Sequence, residues 1–330
     1  MSERDIQLEQ EVSRAAEISN RILNAIQRRI IGQDNLRRRL VTALLVDGHV
    51  LLEGVPGLAK TLSIRALAEA VHASFKRIQF TPDLLPADLL GTEVFRPQDG
   101  QFEVRKGPVF AHFILADEIN RAPAKVQSAL LETMQERQVT IGTETFPVPR
   151  PFFVLATQNP VEQEGTYPLP EAQIDRFMLK VRVDYPEKAE ELEILKRIGS
   201  SAFDGAPLEA VASLDDIAVL KSATEKIYVD ERVQDYIVDL VWASRDPKRY
   251  KLKLDNLLEL GASPRASIAL QLVAKAEALL EGQTYVSPQN VKDVAHDVLR
   301  HRLIPTYEAE AQGLSSEEIV SIILDGVQVP

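Results

Sequence analysis

The sequence predicts an α/β fold, a parallel doubly wound sheet in the first half of the chain followed by a smaller all-helical part. Three observations carry this. The runs HVLLEG (49–54), HFILADE (112–118) and FFVLATQN (152–159) are apolar without alternation and stop at glycine or polar residues, as strands covered on both faces do. Between them lie segments with apolar residues at helical spacing, and strands alternating with helices pair in parallel. From about residue 186 onward only helical patterns of comparable length remain.

The elements follow in order. Residues 3–29 place Ile6, Val12, Ala15, Ile18, Ile22, Leu23 and Ile26 at helical spacing among charges, an amphipathic helix. IIGQ breaks it at Gly32, and 34–46 makes a second helix. HVLLEG is a buried strand, 61–72 a helix, and the alternating SFKRIQF (74–80) a strand. TEVFR (92–96) and QFEVR (101–105) flank a PQDG turn, which is a hairpin signal. HFILADE is the next strand, and the helix 124–136 starts after Pro123. QVTIGTETFPVP (138–149) is a second hairpin candidate, and FFVLATQN and FMLKVRV (177–183) complete the strands. Helices are expected at 187–198, 215–226, 231–244, 265–281 and 288–300. The change of character at 184–188 divides the chain into expected domains of residues 1–186 and 187–330.

Composition excludes several functions. A chain of 330 residues has room for one large domain or two ordinary ones. Its 45% hydrophobic and 26% charged residues are globular averages. Lys and Arg number 38 against 49 Asp and Glu, and the net charge of −11 counts against general electrostatic binding of nucleic acid. The absence of cysteine rules out disulfides and thiolate metal sites. The five histidines, at 49, 72, 112, 296 and 301, form no HExxH or paired motif and are expected to be ordinary core or surface residues. The chain is charged from its third residue, and nothing approaches the ~18 apolar residues of a membrane span, so a soluble cytoplasmic protein is expected.

The chemistry-bearing residues start at GVPGLAKT (54–61), between a strand and a helix. There the backbone N–H groups of a glycine loop are free to point at a polyphosphate. The loop comprises Gly54, Val55, Pro56, Gly57, Leu58 and Ala59, and runs into the helix at Lys60, Thr61 and Leu62. Lys60 would reach the β- and γ-phosphates of ATP, and the Thr61 hydroxyl would bind Mg²⁺. Ala59 stands where the general pattern GxxxxGKT has glycine. With right-handed helical dihedrals its methyl is cheap, whereas positive φ there costs roughly 1–2 kcal/mol. The former is expected, with Gly54 and Gly57 taking the unusual angles.

FILADE ends in Asp117 and Glu118 at the carboxyl end of a strand, where open α/β sheets bind ligands. Asp117 is placed to hold the magnesium shell, and Glu118 to orient or deprotonate a water. Asn159 in VLATQNP can fix that water, touch the γ-phosphate, or simply cap a turn before Pro160. Arg176 in LPEAQIDRF is a plain surface residue or an arginine finger for a neighbouring subunit. Arg265 in GASPRA starts a helix of the second half, from which a guanidinium can reach back to phosphates.

GVPGLAKT, FILADEINRAP, VLATQNP, LPEAQIDRF and GASPRA, in this order and spacing, resemble the MoxR family of AAA+ ATPases over essentially the whole chain. The alanine at 59 belongs to that family's pattern. The resemblance implies an AAA+ P-loop core followed by a small all-α lid. It implies Walker A residues Lys60 and Thr61, a Walker B pair Asp117 and Glu118, sensor 1 at Asn159, an arginine finger at Arg176 and sensor 2 at Arg265. It also implies an IGQ box near the adenine at Ile31, Gly32 and Gln33. Arg121 is a further candidate interface residue. Residues 83–108 correspond to a helix-2 insert and 137–150 to a pre-sensor-1 hairpin, both facing a ring's pore.

By the same resemblance, ATP and Mg²⁺ are the cofactors and the finger acts in trans within a ring, a hexamer, of this chain. The work done is chaperone-like remodelling of a client protein. Family members often act with a partner bearing a von Willebrand factor A-type domain. With no such domain after Pro330, that partner is expected as a separate chain. The rival readings are a nucleic-acid-dependent motor, a non-hydrolysing scaffold and a small-molecule kinase. The charge disfavours the first, the two acids the second, and the helical half the third.

Overall fold

The computed structural model describes residues 3–54, 60–98, 100–159, 165–198 and 208–330. By contact the chain divides into two units: residues 21–177 with 181–217, and residues 1–20 with 178–180 and 218–330. This division is not the one at 186/187 expected from composition. Helix α7 clusters with the sheet, and the first residues of the chain cluster with its C-terminal part.

Helices α1 (Glu3–Gln27) and α2 (Asp34–Leu45) precede β1 (Val50–Gly54), α3 (Lys60–Ala70) and β2 (Phe75–Gln79). After α4 (Pro86–Leu90) comes a hairpin of β3 (Gly91–Arg96) and β4 (Gln101–Lys106), then β5 (Phe113–Asp117). A 3₁₀ turn at Ile119–Arg121 leads into α5 (Ala124–Glu136). A second hairpin, β6 (Gln138–Ile141) and β7 (Glu144–Pro147), is followed by β8 (Phe153–Gln158), α6 (Glu171–Ile174), β9 (Leu179–Val183) and α7 (Lys188–Ile198).

The five-stranded sheet has the order β2-β5-β8-β1-β9, with parallel registers joining β2 to β5, β5 to β8 and β8 to β1. The central strands β5 and β8 are buried along nearly their whole length because helices cover both faces. Strand β2 lies at an edge and exposes Lys76, Arg77 and Gln79, polar residues of the kind that keep sheet edges from pairing with other chains. Register places Gln79 beside Asp117 and Leu52 beside Thr157, so the carboxyl ends of four strands share one rim. The core beneath it includes Leu51, Phe80, Ile114, Val154 and Phe177, all fully buried.

The other unit contains α8 (Leu214–Lys226) from residue 218 onward, α9 (Glu231–Arg245), β10 (Leu258–Leu260), α10 (Pro264–Leu280), α11 (Pro288–Leu299), β11 (Ile304–Pro305), α12 (Tyr307–Ala311) and α13 (Ser316–Gly326). Asp230, Ser263, Ser287, Thr306 and Ser315 cap its helices, each side chain accepting a backbone N–H of the first turn. Helices α12 and α13 and the short antiparallel pair β10–β11 go beyond the expected elements. The SSEE stretch that opens α13 is a capping box, Ser315 with Glu318, and is visible in the sequence as such.

Gly54 departs from expectation. It lies in β1 outside the left-handed region, so it does not supply an unusual backbone angle. A side chain there would meet the Val183 carbonyl oxygen at 2.7 Å, so glycine serves close strand approach. The expectations for Gly57 and Ala59 fall outside the described residues. Gly54→Ala is expected to lower unfolding free energy by about 1–3 kcal/mol, as overpacking does, measurable by denaturant titration. An unchanged midpoint would show that β1 and β9 separate at no cost.

Candidate nucleotide site

Asp117 is the last residue of β5, and the backbone turns sharply out of the sheet at Glu118. Glu118 has φ 57° and ψ 50°, left-handed angles that an L-residue adopts only when its surroundings impose them. Thr157, the neighbour on β8, braces them. Its hydroxyl accepts the Glu118 N–H at 2.8 Å and donates to Asp117 Oδ1 at 2.7 Å. The Arg121 N–H then bonds the Glu118 carbonyl at 2.9 Å and closes the 3₁₀ turn.

The two carboxylates stay partly accessible, Asp117 at 15% and Glu118 at 24% of the side chain. Each holds a cation. Arg77 donates to Asp117 Oδ2 from Nε at 3.1 Å and from Nη2 at 2.7 Å. Arg121 Nη1 lies 3.0 Å from Glu118 Oε2, and Gln79 Nε2 donates to that same oxygen at 2.7 Å. Arg121, a candidate interface residue by sequence, is therefore paired within its own chain.

Lys60 is the first residue of α3, and its ammonium donates to the Gly54 carbonyl at the end of β1. Burial pushes its pKa down, while Asp117, Glu118 and Glu53 push it up. Burial prevails, and the Lys60 pKa is lowered. Thr61 and Leu62 follow on the same first turn, both half-buried. Val55, Pro56, Gly57, Leu58 and Ala59 lie outside the described residues.

Asn159 is buried directly beyond β8, two residues past Thr157. Arg176 follows α6 with its side chain exposed, and among the described residues it has no ion-pair partner. Arg265 is exposed at the start of α10 in the other unit, where its N–H bonds the capping Ser263 hydroxyl. Gly32 and Gln33 take successive left-handed angles, φ 65° and 56°, and the Gln33 amide donates to the Asp184 carbonyl at 2.9 Å instead of capping α2. Ile31 beside them is half-buried. A carboxylate oxygen of Glu190 lies 2.3 Å from where a side chain would begin on Gly32.

Sequence reading missed Thr157, Arg77 and Gln79. The signal for the last two was the alternation of β2, which sends residues two apart to one face. The donors present, a carboxylate and a nearby hydroxyl, are hard oxygens suited to magnesium, which takes its remaining ligands from phosphate and water.

Comparison with known proteins bears on this geometry. The model of the ATPase family associated with various cellular activities (AAA) matches residues 49–179, and that of the AAA lid domain matches 254–323. The chaperone MoxR1 of Mycobacterium tuberculosis is 48% identical over 319 residues, covering 96% of this chain and 84% of its own. The chain belongs to the MoxR family of AAA+ ATPases. Protein MoxR of Methylorubrum extorquens is 32% identical over 300 residues, covering 86% of this chain and 87% of its own. A solved structure from Cytophaga hutchinsonii, 47% identical and matched over 100% of both chains, superposes with a TM-score of 0.92. The MoxR-family fold here is thus an α/β ATPase core with a helical lid. Among the described residues, no helix is long and apolar enough to cross a membrane.

Thr157→Val keeps shape but removes both hydroxyl bonds and leaves the Glu118 N–H without its acceptor. A loss of roughly 1–3 kcal/mol in stability is expected, read by thermal or denaturant unfolding. Unchanged stability would mean that the turn at Glu118 does not depend on Thr157.

Proposed function

We propose that this MoxR-family chain hydrolyses ATP at the carboxyl rim of its sheet and uses the cycle to remodel a partner protein. The observation that carries the reading is the convergence of Lys60, Asp117 and Glu118 on that rim. Residues 1–186 form the nucleotide-handling core in this reading, and 187–330 the lid.

The glycine-loop pattern from Gly54 to Ala59 is the phosphate-binding segment in this reading, and Lys60 exchanges its carbonyl partner for β- and γ-phosphate oxygens. Thr61 and Asp117 would hold Mg²⁺, which when bound neutralises charge on the phosphate oxygens. Glu118 accepts the proton of the attacking water as its oxygen bonds to the γ-phosphorus and the bond to ADP breaks. Its resting contacts with Gln79 and Arg121 both fall on Oε2. Asn159 orients the same water or the γ-phosphate, and Ile31, Gly32 and Gln33 border the base.

The exposed guanidinium of Arg176 supports a role in trans, completing the site of the next subunit in a ring, for which a hexamer is the family expectation. Arg265 takes the sensor 2 role that the family resemblance implies. Kinship with a protein named as a chaperone supports a protein client; a separate von Willebrand factor A-type partner and a cytoplasmic location are family expectations.

Lys60→Ala is expected to abolish turnover in a coupled phosphate-release assay; parental rates would remove the site assignment. Glu118→Gln should bind ATP and turn over about 10²–10⁴-fold more slowly, the usual worth of a general base. Arg176→Ala should bind ATP and lose about a thousandfold in rate. Mixed with Glu118→Gln subunits it should recover activity, because each variant supplies what the other lacks. No recovery at any ratio would count against action in trans.

A further inference from the structure

We propose that Arg77 is a tethered cation that occupies Oδ2 of Asp117 in the nucleotide-free protein and is displaced when a divalent cation arrives with nucleotide. The proposal rests on the reading of Asp117 as the metal-holding carboxylate. Oδ2 of Asp117 receives two donors from the one guanidinium, at 3.1 and 2.7 Å, so both its lone pairs are engaged. Oδ1 receives the Thr157 hydroxyl. A divalent cation bound through Oδ2 takes the place of the guanidinium, and one bound through Oδ1 sits close enough to repel it.

The partners of Asp117 differ in their freedom to leave. Thr157 is buried at 1% exposure and is tied to the Glu118 N–H as well. Arg77 projects from the edge strand β2 with 51% of its side chain exposed, so its long stem can swing into solvent without unpacking anything. An ion pair this exposed is weak, which suits a contact meant to be broken. Arg77 also orients its neighbour, since Nη2 donates to Gln79 Oε1 at 3.0 Å and so turns the Gln79 amide nitrogen toward Glu118. Departure of Arg77 therefore also loosens the hold on Glu118. Arg77 is a positioning residue that acts on the site through Asp117.

The test is the magnesium dependence of nucleotide binding, followed with a fluorescent ribose-labelled ATP titrated with MgCl₂. In Arg77→Ala the half-maximal magnesium concentration should fall about two- to fivefold, the worth of an exposed ion pair. Binding in EDTA should not tighten, and Arg77→Lys should stay near the parent. Lys76→Ala removes an exposed charge one residue away on the opposite face of β2 and should leave the midpoint in place. Arg77→Gln serves if the alanine variant fails to fold by circular dichroism. A midpoint that stays put or rises in the folded variant overturns the proposal, as does an equal shift in Lys76→Ala. A parent protein with no magnesium-dependent binding would overturn the site reading itself. A magnesium-dependent parent with an unmoved variant overturns the role of Arg77 alone.

Discussion

A single hydroxyl governs the two acids at the centre of this molecule. Thr157 can bond both the Asp117 carboxylate and the Glu118 N–H only because β8 runs beside β5 in parallel, with Ala116 and Ala156 as register partners. The hydroxyl is buried, so water does not compete for either bond. Its effect is to fix the directions of two adjacent carboxylates by bonding the side chain of one and the backbone of the other. Asp117 remains in the sheet, and Glu118 is thrown into the left-handed turn and aimed differently. Adjacent acids with divergent directions can take different chemical tasks.

The charges around these acids are balanced locally. Lys60, Arg77 and Arg121 face Asp117, Glu118 and Glu53. Each cation reaches the rim from a different element: the start of α3, the edge strand β2 and the 3₁₀ turn. Such a rim resists partial occupation. A polyanion alone meets two carboxylates, and a divalent cation alone meets three positive groups. Under the proposed function, metal and nucleotide together bring charges that can be exchanged for the internal pairs.

Much of this was legible in the sequence where one period or one motif decides. Helix α5 follows Pro123 and spans the residues its pattern marks, and the strand ending in Asp117 and Glu118 is apolar enough to be read directly. Thr157 was not legible, because its importance depends on strand order, and nothing in VLATQN says which strand lies alongside. Arg77 and Gln79 read as ordinary polar residues of an edge strand until register sets Gln79 beside Asp117. Gly54 was assigned to backbone freedom when its purpose is room for the Val183 carbonyl, a contact made across 129 positions of sequence and invisible locally. The contact-based division likewise depends on long-range packing that composition does not encode.

The same elements that hold Glu118 also lead away from it. The 3₁₀ turn passes directly into α5, whose far end is fixed at Arg137, another left-handed residue. The Arg137 guanidinium bonds the carbonyls of Phe152 and Asp47, both at 2.6 Å, and so ties the end of α5 to the segments before β8 and β1. Hairpin β6–β7 starts at the next residue. It touches the β3–β4 hairpin in two ways: the Glu93 carboxylate packs against Gly142 at its turn, and the Lys106 ammonium lies 4.6 Å from the centre of the Phe146 ring and 5.0 Å from that of Phe110. An attraction between ammonium and ring weakens steeply if the ring slides away. The two hairpins therefore hold to each other through contacts that a small displacement would alter. A short turn and one pinned helix join the Glu118 segment to these hairpins.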